Sequence, residues 1–209
     1  MQKLFGDINM SWPKLLVFAI IAGLYTGVMA MIPALEPTSF HDISVSFECW
    51  VIFAFVIACN CEKNWECALK TFVFFLVSQP IVYLVQVIAG SLDVQLAMNY
   101  YLHIWGPVTV LTLPGGFIAY YIQKQNAVGA IILGLGCAIQ GLMGVSYVAR
   151  LLANPPYHLL TVIVCFGSIA VFAACIQKSA GRRIVTVAIA AVVTIGLVAY
   201  VLMNGLSLY

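Results

Sequence analysis

Seven long apolar runs set the terms for this chain. They lie at roughly 13–33, 43–60, 67–89, 101–122, 127–148, 158–177 and 183–203. Each is close to the ~20 residues that a helix needs to cross a hydrocarbon core. A backbone in lipid must satisfy its own hydrogen bonds, which leaves helices or closed barrels. The runs are continuous and do not alternate over about ten residues, which disfavours a barrel. The expected fold is therefore all-α: a polytopic membrane bundle of seven transmembrane helices, forming one domain over residues 1–209. Composition agrees, since 8% of the residues are charged against about 25% in soluble domains. A net charge of +2 offers no basic stripe for a phosphate backbone and excludes nucleic acid as a partner.

The few cations are distributed unevenly. Lys3 and Lys14 precede the first run, Lys63 and Lys70 flank the second connection, and Lys124 lies in the fourth. Lys178, Arg182 and Arg183 lie at the sixth, so only Arg150 falls on the other side. The positive-inside rule then places the N-terminus in the cytoplasm and the C-terminus outside, in a plasma or inner membrane. Cys59, Cys61 and Cys67 fall at the cytoplasmic end. Their spacing matches no usual zinc pattern, and they read as reduced thiols.

One stretch carries an ionisable group into an apolar run. Phe40–Trp50 reads Phe-His-Asp-Ile-Ser-Val-Ser-Phe-Glu-Cys-Trp. On a helix His41, Ser44 and Glu48 share one face, at i, i+3 and i+7. At 1.5 Å per residue, Glu48 sinks on the order of 8 Å below the start of the run. A carboxylate at that depth costs several kcal/mol unless it meets a partner, a cavity or a proton, which makes Glu48 a candidate functional residue.

Other runs carry polar faces at a similar depth. Gln79, Tyr83 and Gln86 share a face of the third run, beside Pro80. Tyr101, Trp105, Thr109 and Thr112 share a face of the fourth, flanked by His103, and Pro114-Gly115-Gly116 is expected to interrupt that helix. Gly90–Tyr100 is either a short amphipathic helix or a lid. Gln140 and Tyr147 share a face of the fifth run, and His158 heads the sixth. The seventh run, with only Thr186, Thr194 and Tyr200 as polar points, is expected to be the most lipid-exposed. In the first run Ala19, Gly23 and Gly27 form a small-residue stripe that suits close helix packing. That stripe serves either packing within the chain or docking of a partner subunit or second copy.

These faces converge in the outer half, and three classes of function follow, of which a channel or a structural or regulatory subunit is the third; a channel needs a polar path through both halves, and the inner half is apolar. The first is binding or transport of a small organic solute, cationic or aromatic, in a pocket lined by Glu48, His41, Ser44, Gln79, Tyr83, Gln86, His103, Trp105, Gln140 and His158. The second is an intramembrane enzyme using Glu48 with His41 or His103, although no catalytic motif, metal-ligand pattern or cofactor motif is present. In size and in its outer-half pocket, the chain resembles the substrate-binding membrane subunits of energy-coupling-factor vitamin transporters. The resemblance is one of architecture, without a matched motif, and those subunits usually have six spans. It implies a bound vitamin-like solute and a partner docked on the Ala19, Gly23, Gly27 face.

Overall fold

The computed structural model describes residues 8–204 except Ser46, and every side chain in that range except those of Val45 and Glu48. The described residues are helical throughout, with no strand. Nine α-helices follow in order: α1 Trp12–Ala30, α2 Ser39–Val45, α3 Phe47–Cys59, α4 Asn64–Ile88, α5 Val94–Tyr100, α6 Gly106–Ala119, α7 Ala127–Ala153, α8 Leu159–Ile176 and α9 Ala180–Met203. A π-helical turn, Tyr101–Trp105, joins α5 to α6, and a 3-10 turn, Tyr120–Gln123, closes α6.

Seven of the resulting segments are long and apolar enough to cross a membrane. They are Trp12–Ala30, Ser39–Cys59, Asn64–Ile88, Val94–Gln123, Ala127–Ala153, Leu159–Ile176 and Ala180–Met203, here spans 1 to 7. A multi-pass membrane protein fits this architecture. The end holding the 60–63, 124–126 and 177–179 connections is called the basic end below.

Two boundaries differ from expectation for a physical reason visible in the structure. Span 2 begins at Ser39 because Asp42, which reads as a loop residue, is buried and partnered inside the bundle. Span 4 begins at Val94: Asp93 caps α5 by accepting from the backbone of Gln95 and Leu96, and the helix then continues through the π turn. Of the two readings of Gly90–Tyr100, the short helix is the one the structure contains: Val94–Tyr100 is α5, continuous with the π turn. Gly90, at φ +72°, lets the chain leave α4 in the left-handed conformation that glycine adopts without strain. Pro114-Gly115-Gly116 does not interrupt its helix, since α6 runs through it. Nor is span 7 the most exposed. Of its most apolar window 17% is buried, against 11% in span 4.

Glycine sets the close helix contacts. A methyl group at Gly23 would sit 2.6 Å from the Ser78 carbonyl oxygen, and one at Gly27 would sit 2.9 Å from that of Val82. Spans 1 and 3 therefore run parallel with their backbones nearly touching, and Ala19, Gly23 and Gly27 are all buried. The small-residue stripe is covered by span 3 of the same chain. Spans 5 and 7 also run parallel. Thr186 and Thr194 donate to the carbonyls of Ala130 and Ala138, each at 3.2 Å, with the same offset of 56 residues.

The basic end is tied by side chains that cap carbonyls across connections. Tyr120 donates to the Glu62 carbonyl, Gln123 to that of Cys61, Gln125 to that of Ile176, and Gln177 to that of Ile122. Gln177 is fully buried.

Candidate functional site

Span 2 carries two buried polar groups, one on either side. The first is closed. His158 Nδ1 lies 2.7 Å from Asp42 Oδ2, and the Thr161 hydroxyl donates to the same oxygen at 2.8 Å. Ser39 donates to the Tyr157 carbonyl at 2.8 Å and accepts from the Thr161 backbone at 3.1 Å. The Tyr147 ring packs 5.8 Å from the imidazole, with the Arg150 guanidinium 5.2 Å over its other reach. Ser44 donates to the Phe40 carbonyl and lies 3.3 Å from the Tyr25 hydroxyl, while Thr26 caps the Ser44 carbonyl. Asp42, His158, Thr161, Ser39 and Ser44 are all buried. Every polar atom named here has a partner, so this group latches span 2 to spans 1 and 6.

The second group is open in the hydrogen-bonding sense. Trp50 is 1% exposed, Gln79 1% and Thr109 2%. Trp50 Nε1, Gln79 Nε2 and Thr109 Oγ1 nevertheless have no hydrogen-bond partner in the protein. They come from spans 2, 3 and 4 and meet around one aromatic cluster. The Trp50 ring lies 5.6 Å from Phe75 and 6.0 Å from Trp105, and Phe47 lies 6.1 Å from Trp105. Gln79 is one helical turn from Phe75, and Thr109 one turn from Trp105. The antiparallel register of spans 3 and 4 brings those turns level. Gly116 abuts Ala68 and Thr71, so Thr109, seven residues along, falls opposite 75–78.

Above this cluster, away from the basic end, the two spans part. Tyr83 and Tyr100 stack in parallel at 6.5 Å, and the Tyr83 hydroxyl is within hydrogen-bonding reach of the Trp105 indole. Tyr83 also lines a nearly wholly apolar cleft of about 360 Å³, with Pro80, Val87, Ala97, Tyr101 and Leu102 among its other walls. The π-helical turn 101–105 forms the span 4 side of this region. Such turns are inserted at a cost in backbone geometry and cluster at functional sites. Pro80 lacks an N–H, so the Leu76 carbonyl loses its helical donor in the same layer.

The ten residues singled out from the sequence do not form one pocket. Gln79, Tyr83 and Trp105 come together in the open group. Ser44 and His158 belong to the closed one. Gln86 donates to the Val82 carbonyl of its own helix, His103 is exposed, and His41 is half-buried. Gln140 is fully buried one turn from Gly136, whose methyl position would strike the Phe55 ring, and so faces span 2 from span 5. The side chain of Glu48 lies outside the described residues. Sequence reasoning missed Asp42, Thr161 and Trp50 as members of these groups. Asp42 was visible as an acidic residue one helical position from His41, but its partners stand 116 and 119 residues away.

None of the seven cysteines is in a disulfide, and Cys59, Cys61 and Cys67 lie at the basic end. Cys61 donates to the Ile57 carbonyl at 3.2 Å. Its contact with Cys67, followed by burial, pushes its pKa up and holds it as an unreactive thiol. Among the described residues no group of three or more His, Cys, Asp and Glu is placed to hold a metal ion. No protein-family profile matches the chain, and no curated protein or solved structure is detectably similar to it.

Proposed function

We propose that this chain is a multi-pass membrane protein that binds a small organic solute among spans 2, 3 and 4, and that the basic end faces the cytoplasm so that the cleft opens outward. One observation carries the reading. Three buried polar atoms on three different spans, Trp50 Nε1, Gln79 Nε2 and Thr109 Oγ1, lack partners around a single aromatic cluster. Each such atom costs about 1–3 kcal/mol when left unmet, and a bilayer offers it no water. A binding site explains why all three are kept. The neighbouring cleft supplies the apolar enclosure that small-molecule sites share. Pro80 and the π turn add the irregular mid-membrane backbone on which transport sites are built.

The enzyme reading needs Glu48 beside His41 or His103, and the exposure of His103 gives it no support. A partner subunit, of the kind an energy-coupled transporter would need, would have to use a face other than Ala19, Gly23 and Gly27. The test is mass spectrometry of small molecules retained by the detergent-purified protein. A discrete compound present in near-stoichiometric amount, and depleted at least tenfold in Gln79→Leu, is the expected result. No retained compound, or equal retention in the variant, overturns the proposal.

A further inference from the structure

Resting on that reading, we infer that the occupant is a flat ring compound that presents hydrogen-bond acceptors, neutral or anionic, to Trp50, Gln79 and Thr109. The direction of the hydrogen bonds decides its class. An indole N–H can only donate, and an amide NH₂ can only donate. Trp50 Nε1 and Gln79 Nε2 are both buried without an acceptor, and the Thr109 hydroxyl can give its proton as well. Two fixed donors and one adaptable hydroxyl call for ring carbonyls, unprotonated ring nitrogens or a carboxylate on the ligand.

Aromatic walls alone would suit a cation equally well, since a ring face attracts positive charge by about 0.5–2 kcal/mol. The donors reverse that preference. A cation brought to this layer would face two N–H dipoles pointing their positive ends at it. It would also lose its water, which costs several kcal/mol for an unpaired charge. An acceptor gains from the same dipoles, and from the rings it gains stacking. Trp50 packs directly against Phe75 and Trp105, with centroids 5.6 and 6.0 Å apart, so the cluster offers a planar group its outer ring faces and edges for stacking, not a gap between its members.

The experiment compares wild type, Gln79→Leu, Gln79→Glu and Trp50→Phe, each purified as a monodisperse species in detergent and extracted for quantitative mass spectrometry. The expected compound is planar and acceptor-bearing. Trp50→Phe, which keeps the ring stack and deletes one donor, should lower its retention about tenfold. Gln79→Leu should also lower it at least tenfold, and Gln79→Glu should lower it further by setting a carboxylate against the ligand's acceptors. If Gln79→Glu does not fold, Trp50→Phe still decides the donor role. A retained organic cation that Gln79→Glu binds as well or better overturns the inferred class while leaving the site in place. So does a retained phospholipid. No retained compound in wild type, or equal retention in every variant, brings down the site itself.

Discussion

The two polar groups that flank span 2 are equally buried but differ in one respect. Around Asp42 the buried groups answer one another: Asp42 Oδ2 meets His158 and Thr161, Ser39 meets the Tyr157 carbonyl, and the Ser44 carbonyl meets Thr26. Around Trp50 the indole, the Gln79 amide and the Thr109 hydroxyl are unanswered. Burial alone would treat the two sites alike. Hydrogen-bond completeness separates them, and it separates a latch from a place prepared for something else. Asp42, an ionisable group of the kind usually suspected first in a membrane helix, here belongs to the latch.

Mutations can break this contrast, beginning with the largest effect. Asp42→Ala leaves the His158 imidazole and the Thr161 hydroxyl buried without their shared acceptor. It should cost about 3–5 kcal/mol, read as a lowered midpoint of unfolding in detergent; a loss below about 1 kcal/mol would mean the latch holds little. Gly23→Val drives a side chain into the Ser78 carbonyl and Ile81, and overpacking of this kind should cost about 1–3 kcal/mol. The sharpest comparison uses one chemical change at two places. Gln177→Leu removes the donor from the Ile122 carbonyl and should destabilise by about 1–3 kcal/mol. Gln79→Leu removes an unmet donor and should leave the ligand-free protein unchanged or about 1 kcal/mol more stable. Equal losses from both substitutions would mean that Gln79, like Gln177, donates within the folded chain, and would remove it from the open group. Thr194→Val, which deletes one interhelical bond to Ala138, should cost only about 0.6 kcal/mol in the same assay.

Seven spans were legible because the length of an apolar run is a property of neighbouring residues. The same locality explains what was not. Asp42 reads as the end of a loop, since nothing nearby in the chain can neutralise its burial; its partners arrive from span 6. Trp50 reads as one more apolar residue in a hydrophobic run, and only its placement against Phe75 and Trp105 shows that its N–H is stranded. Gln79, Tyr83 and Trp105 were found because amides and aromatics repeat on one helical face. Gln86 fits that pattern too, yet its side chain folds back on its own helix, a choice that spacing does not record. Pro114-Gly115-Gly116 read as a break because each residue weakens a helix alone. Instead α6 passes through, and Gly116 serves as the contact point for Ala68.

The Asp42–His158 contact also has a consequence for how the protein is made. The two residues are 116 positions apart, so a ribosome adding about 5–20 residues per second finishes His158 about 6–23 s after Asp42. During that interval span 2 exists with a carboxylate near its head and no partner for it. The latch between span 2 and span 6 therefore cannot close until span 6 has been made, and a chain stopped before residue 158 lacks the partner that Asp42 meets in the folded protein. To complete its contacts, the second span waits for the sixth.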